Sequence, residues 1–266
     1  MTRLLTVLRE RAGVRSLLSR PGSNPKVAKA ETIGIHTAIL HLAPADTSGH
    51  EVCPGRSPGC TRACLHYAGA PNHLPGKIRA RIARTRLLFR DRTLFMNILA
   101  LEIAEHIRRA KRQGMAPAIR LNGTSDICWE VKSFMLYPGV RRLIGTTTGN
   151  TLPALFPELS FYDYTALPNR RTPANYHLTF SLKETNLAQA LAALRCGMNV
   201  AVVFRGDPPA HWHGYPVIDG DGHDYRPADP RTVVVGLSAK GKLARADHSG
   251  FVHHITDIDW QWDLAA

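Results

Sequence analysis

Three of the chain's five cysteines fall in the stretch HEVCPGRSPGCTRACLHYAG, at Cys53, Cys60 and Cys64, with C-x6-C-x3-C spacing and with His50 and His66 close by. Thiolates are ligands for soft metal centres, and two chemistries suit this trio. One is a closed zinc tetrahedron, with His66 completing the set of Cys53, Cys60 and Cys64. The other is a [4Fe–4S] cluster in which each cysteine ligates one iron and the fourth iron stays open to a ligand. Unligated thiols are the third reading. A chain of 266 residues needs no metal staple to fold, and zinc ligands usually arrive as paired short turns, so both points weigh against zinc. Cys128 and Cys196 stand at the start and end of predicted helices and are expected to be buried fillers.

A second constellation lies in HWHGYPVIDGDGHDYRPADP. His211, His213, Asp219, Asp221, His223 and Asp224 are hard or borderline metal ligands at close spacing, with Lys240 following in SAKG. Carboxylates of this kind could hold Mg²⁺ for phosphoryl transfer, making Asp219, Asp221, His223, Asp224 and Lys240 a candidate catalytic or second metal site. The plainer alternative is a Gly/Pro turn in which aspartates cap backbone amides. DGDG is too short for a calcium loop. HWH also invites comparison with replication initiators that nick DNA through a metal-binding histidine pair and a tyrosine. Pro209 and Pro216 flank it, however, and no tyrosine has a lysine four residues on.

Charge points to a phosphate-rich partner. The formal net charge is +13, and the helical stretch from Lys77 to Arg112 is crowded with arginine. Arg79, Arg86 and Arg90 are the candidate nucleic-acid contacts, because counterion release rewards clustered arginine without any base contact. A solvated helix face is the alternative. Tyr162, Tyr164, Trp212, Tyr215 and Tyr225 could form an aromatic rim that stacks a base or an adenine ring. No apolar run is long enough for a membrane helix, and the first eighteen residues lack a secretory core. A cytoplasmic protein with no membrane partner is therefore expected; the oligomeric state is open.

The elements that must position these residues alternate. MTRLLTVLRERAGVRSLL reads as a basic amphipathic helix, giving an N-terminal helix over 1–20 followed by one domain over 21–266 with the cysteine loop at 50–68. IGIHTAILHLAP reads as a strand. GKIRARIARTRLLFRDRTLFMNILALEIAEHIRRAKRQG is helical, broken near Asp91, with Ile78, Ile82, Thr85 and Phe89 on one face. Strands follow in APAIRLNGTSD, LSFYDYT, YHLTFSL, NVAVVFRG and TVVVGLSAKG, with helices around Trp129–Leu136 and in NLAQALAALRCG. The segment between the last two strands is a long polar loop. Such alternation predicts an α/β fold, a partial or complete (β/α) barrel, with the polar strand ends NGTSD, YDYT, SLKE, FRGD and SAKG around one mouth.

A three-cysteine loop directly after a first strand and leading into a helix resembles the radical S-adenosylmethionine (SAM) enzymes. CPGRSPGCTRACLHYAG, RLNGTSD, FYDYT and VIDGDGHDYRPADP with VVVGLSAKG further resemble a phage and mobile-element family named for the gene product 88 domain, over about residues 20 to 255. The likeness to radical-SAM enzymes implies a [4Fe–4S] cluster on Cys53, Cys60 and Cys64, with SAM on the open iron; the basic charge points to a nucleic acid or nucleotide as substrate. By position, Asn122, Thr124, Ser125 and Asp126 would meet the methionine amino group, and Lys183 and Glu184 the carboxylate and ribose. Asp126 has a second reading as a helix N-cap. The spacing departs from the C-x3-C-x2-C of radical-SAM enzymes, which puts SAM cleavage in question. A zinc-stapled nucleic-acid-binding protein or metal-dependent nuclease is the alternative function.

Overall fold

The computed structural model describes residues 1–19, 29–68, 74–145 and 149–254. Its centre is a nine-stranded, mostly parallel sheet. The strands are β1 (Ile35–Ile39), β2 (Ala116–Arg120), β3 (Ser160–Thr165), β4 (Tyr176–Ser181), β5 (Val200–Arg205), β6 (His211–Trp212), β7 (Tyr215–Asp219), β8 (Val234–Ser238) and β9 (Val252–His254). Their spatial order is β1-β2-β3-β4-β5-β8-β7-β6, with β9 paired to β5. From β1 to β5 each strand lies in parallel beside its predecessor. The carboxyl ends of these five strands therefore share one edge of the sheet, where parallel α/β folds build their sites.

The sheet is open, which corrects the expectation of a complete barrel. Closure would need β1 to pair with the far edge. That edge is β6, a two-residue strand antiparallel to β7 in a short hairpin. This hairpin lies within the stretch read from sequence as a polar loop; Gly214, with φ 79, makes its turn. β9 was also missed. It pairs with Val203, Phe204 and Arg205, whereas β4 pairs with Val200 and Ala201, so β9 takes over from β4 along β5.

Among the described residues, the helices bounded at both ends are α1 (Thr2–Ala12), α2 (Pro58–Arg62), α3 (Pro75–Arg90), α4 (Arg92–Arg112), α5 (Pro138–Ile144), α6 (Leu152–Leu155), α7 (Leu187–Arg195) and α8 (Gly241–Arg245). Asp91 divides α3 from α4, and its carboxylate accepts the Leu94 amide at 2.9 Å, an N-cap bond. α1 ends at Gly13, in the left-handed region at φ 65, and buries Leu5, Leu8 and Ala12. It is part of the main core. Arg9 pairs with Glu102 of α4 at 2.9 Å, and the same carboxylate accepts the Leu17 and Leu18 amides.

Two sequence expectations fail here for tertiary reasons. α3 buries Arg81, Thr85, Leu87 and Leu88, while Ile78 and Phe89 are 37% and 47% exposed. Thr85 turns inward because its hydroxyl accepts the Ala43 amide at 2.9 Å. The helix expected over 129–136 shrinks to a single 3₁₀ turn, Trp129–Val131. Its indole is held by Asn122, and Asn150 draws the Phe134 amide into a separate loop.

The larger core lies between β1–β3 and helices α1 and α4, around Phe95, Leu99, Ile119 and Phe161. A second joins β4, β5 and β8 to α7 and Trp212. Such burial on apolar strands supplies most of the driving force.

Candidate functional site

The cysteine loop runs from β1 to α3, and local chemistry shapes it. The Arg56 amide closes a turn on the Cys53 carbonyl at 2.9 Å. Ser57 then caps α2: its hydroxyl accepts the Cys60 amide at 3.2 Å, and Pro58 takes the first helical position. The six residues between Cys53 and Cys60 are thus one turn and one helix start. Cys64 follows α2 directly and accepts the His66 amide at 3.4 Å.

Three strand ends grip this loop. After β2, the Thr124 carbonyl accepts the Cys53 thiol at 3.8 Å, and the Asp126 amide donates to the Val52 carbonyl at 2.8 Å. After β3, Ala166 and Leu167 press on Gly55, where an added Cβ would come within 3.1 Å of Leu167 Cδ2. After β4, Lys183 Nζ donates to the Gly55 carbonyl. Glu184 accepts the Gly59 amide at 2.7 Å and the Ser57 hydroxyl at 2.6 Å. Gly59 has no room for a side chain, because an added Cβ would lie 2.2 Å from Ser249 Oγ and 2.8 Å from Phe251 Cβ.

The thiols are half-buried and free of disulfides. Burial pushes Cys53 up to about 12, and the neighbouring Cys64 and Cys60 add to the rise. Cys60 and Cys64 are raised by burial too; Lys183 opposes the rise in Cys60, and Cys60 adds to that in Cys64. The three sulfurs therefore feel one another's charge. Among the described residues, no three His, Cys, Asp or Glu side chains gather tightly enough for a single metal ion. His66 is turned away from a ligand role by Arg81, whose guanidinium lies 2.6 Å from Nδ1.

A family model described as gene product 88 matches residues 16–255. The chain belongs to the gene product 88 family. No curated protein and no solved structure matches it.

In this gene product 88 chain the residues expected to hold SAM are occupied with the fold. Asn122 Oδ1 accepts from Ser125 Oγ, the Ile127 amide and Trp129 Nε1 at 2.8, 3.0 and 2.9 Å. Its amide nitrogen donates one N–H to the Ile127 carbonyl at 2.9 Å, so the carbonyl oxygen is saturated and the amide is tied to its own loop. Thr124 Oγ1 donates to the Leu42 carbonyl at 2.6 Å. Asp126 accepts the Ala166 amide at 2.8 Å and Arg170 at 3.1 Å; burial raises its carboxyl, against the pull of those partners. It caps no helix. Lys183 and Glu184 hold the cysteine loop, as above.

The second constellation is split. Asp219 and Asp221 belong to a surface turn, where Asp219 accepts the Asp221 amide at 2.7 Å and Asp221 pairs with Lys240 at 2.8 Å. Asp224 is buried and pairs with Arg120 of β2 at 2.8 Å. His223 Nδ1 faces Arg226 at 3.2 Å. These residues do not converge on one point. His211 lies in the edge strand β6, while His213 lies in the hairpin turn.

Arg79, Arg86 and Arg90 are exposed on one stripe of α3. Arg86 donates to the Ser48 carbonyl at 3.2 Å, so the stripe borders the cysteine loop. Phe89 beside it stacks on His50, with ring centroids 4.2 Å apart. The aromatic rim needs correction. Tyr162 is 0% exposed and bonded to Thr37 of β1 at 3.3 Å, and Trp212 is likewise buried. Tyr164 lies beside it, under the Arg120 guanidinium at 5.0 Å. Cys128 is half-buried and Cys196 exposed, so neither is a core filler.

Sequence reasoning missed Arg81, which reads as one more basic residue of a solvated face. It missed Gly59 and Ser57 as well, although Ser-Pro before a helix is a legible cap signal.

Proposed function

We propose that this gene product 88 chain is an iron–sulfur enzyme acting on nucleic acid or a nucleotide, with Cys53, Cys60 and Cys64 holding a [4Fe–4S] cluster. The observation that carries this reading is the set of three half-buried, neighbouring thiols on a loop braced by the ends of β2, β3 and β4. Around a single zinc ion, with Zn–S near ~2.3 Å, sulfurs must crowd together. A cluster with a separate iron for each cysteine accepts thiols that stand further apart than those around one zinc ion. Sequential parallel strand order supports reading the open sheet as a partial barrel with this loop at its mouth.

Such a cluster leaves one iron open to a ligand, and that is the chemistry it supplies when bound. The chain's own part is positional. Glu184 and Lys183 hold α2 and the Gly55 turn, and the Thr124 carbonyl orients Cys53. The donors expected for SAM do not fit that role, because Asn122, Thr124, Ser125 and Asp126 are consumed inside the fold. The arginine stripe on α3 supports a nucleic-acid partner by charge and by its position at the loop's border.

Protein purified without oxygen is expected to be brown, with broad visible absorption and iron and sulfide in cluster ratio. Colourless protein carrying one zinc per chain would overturn the proposal.

A further inference from the structure

Side chains alternate between the two faces of a strand, so Arg120 of β2, Tyr162 and Tyr164 of β3, and Thr179 and Ser181 of β4 share one face of the sheet. Their neighbours Ile119, Phe161 and Phe180 take the other face, in the cores built with α1, α4 and α7. The polar face is covered at two levels. Low on it lies the segment after β7, where Asp224 pairs with Arg120 at 2.8 Å and the Tyr225 hydroxyl donates to Ser160 Oγ at 3.1 Å. High on it lies the cysteine loop. Lys183 Nζ donates to the Gly55 carbonyl, and Ala63, between Cys60 and Cys64, packs in one cluster with Val203 of β5. Val203 is on the same face, because Ser181 pairs with Ala201. Between the two levels Tyr164 and Ser181 are only half-buried.

Polar groups in this recess are not spent on the fold. Among the described residues, neither Tyr164 Oη nor Ser181 Oγ makes a hydrogen bond. Thr179, opposite Tyr164 in the ladder, is fully buried with an unpartnered hydroxyl, and Arg120 Nε has no partner either. Polar atoms left open inside a fold call for a partner that the chain itself does not supply.

We propose that the recess between the cysteine loop and the Asp224–Arg226 segment binds a nucleobase through Tyr164, Ser181 and Arg120. Three features favour a base over a phosphate. The nearby charges cancel in pairs, Arg120 with Asp224 and Arg226 with Asp229 at 3.1 Å, so an uncharged group suits the site. Burial pushes the Tyr164 phenol up, so it keeps its proton; both hydroxyls can then donate or accept, which matches the mixed edge of a base. The Arg120 guanidinium lies over the Tyr164 ring at 5.0 Å, a flat surface of the kind on which bases stack. The inference rests on the nucleic-acid or nucleotide reading above and deepens it. The base lies beneath the cysteines, and its phosphates extend toward the arginine stripe of α3, which borders the same loop.

The test is saturation-transfer NMR on the full chain, with adenosine, cytidine, guanosine, uridine and free ribose as probes. At least one nucleoside should receive transfer at its base protons, and ribose should receive none. Tyr164→Phe and Ser181→Ala each remove one hydrogen bond and should each raise Kd about 3- to 10-fold with an unchanged circular dichroism spectrum. Tyr137→Phe, at the start of α5, should leave Kd as it is. Iron and sulfide counted on the same samples separate this site from the cluster. A colourless chain that binds a nucleoside would sink the cluster alone, and a brown chain that binds none would sink this inference alone. Binding that survives both Tyr164→Phe and Ser181→Ala, or transfer to the ribose protons without the base, would also overturn it.

Discussion

Glu184, just beyond β4, accepts the Gly59 amide at 2.7 Å, across 125 residues of sequence. One carboxylate thus anchors the first turn of the helix that carries Cys60, and with the Ser57 hydroxyl it sets where that thiol points. Glu184→Ala removes two bonds to a charged acceptor, and each is worth about 1.5–3 kcal/mol. Expected outcomes are a lower unfolding midpoint in urea and a reduced iron content, with Glu184→Gln in between. An unchanged midpoint would show that the loop is held without it.

Gly59→Ala tests the same contact from the other side. The new methyl has no space between Ser249 Oγ, Glu184 Oε1 and Phe251 Cβ. Overpacking of this kind costs about 1–3 kcal/mol. Calorimetry should show the loss, and Ser249→Gly in the same chain should recover part of it.

Asn122→Ala separates a structural hub from a ligand contact. In the variant Ser125 Oγ, the Ile127 amide and Trp129 Nε1 lose their acceptor. Buried donors left unpaired cost about 1–3 kcal/mol each. A large fall in Tm with a red shift in tryptophan emission is expected; a normal Tm with weakened ligand binding would reassign the residue to a binding role.

Cysteine reactivity follows burial. In metal-free protein at pH 8, iodoacetamide should modify the exposed Cys196 first and Cys53 last, since burial pushes the Cys53 thiol up to about 12. Peptide mass spectrometry reads the order. Serine at 53, 60 or 64 should each abolish iron binding, while serine at 196 should not.

Asp163 supplies a pH dependence. Burial pushes its carboxyl up to about 7, against the opposing pull of Arg120, Tyr176 and the Asn122 amide. An acid raised in the fold binds more protons folded than unfolded, so its contribution is fullest below the ordinary value of 3.8 and declines as pH climbs toward about 7. Relative to Asp163→Asn, wild-type stability should therefore fall between about pH 4 and pH 7, measured by urea unfolding. A flat difference across that window would rule this out.

Nucleic-acid binding through α3 predicts that alanine at Arg79, Arg86 and Arg90 lowers the salt dependence of affinity. Each lost phosphate contact should flatten the slope by about 1. Unchanged binding would make the stripe a solvated face.

Local pattern was enough to place most elements. Val-rich runs became β5 and β8, Asp91 broke the long helix where a capping residue should, and C-x6-C-x3-C marked the loop between first strand and helix. These features depend on neighbours a few residues apart, and that range is what sequence periodicity and capping chemistry encode. Partners were not legible. Ser57 meets Glu184 across 127 positions, and Asp224 meets Arg120 across 104. Only folding decided that NGTSD would spend its polar groups inside the fold, that Tyr162 would be buried, and that Arg81 would turn inward while Arg79, Arg86 and Arg90 stay exposed. A polar side chain after a strand looks the same in sequence whether it braces a loop or faces a ligand; the difference lies in which distant backbone group fills its hydrogen bonds.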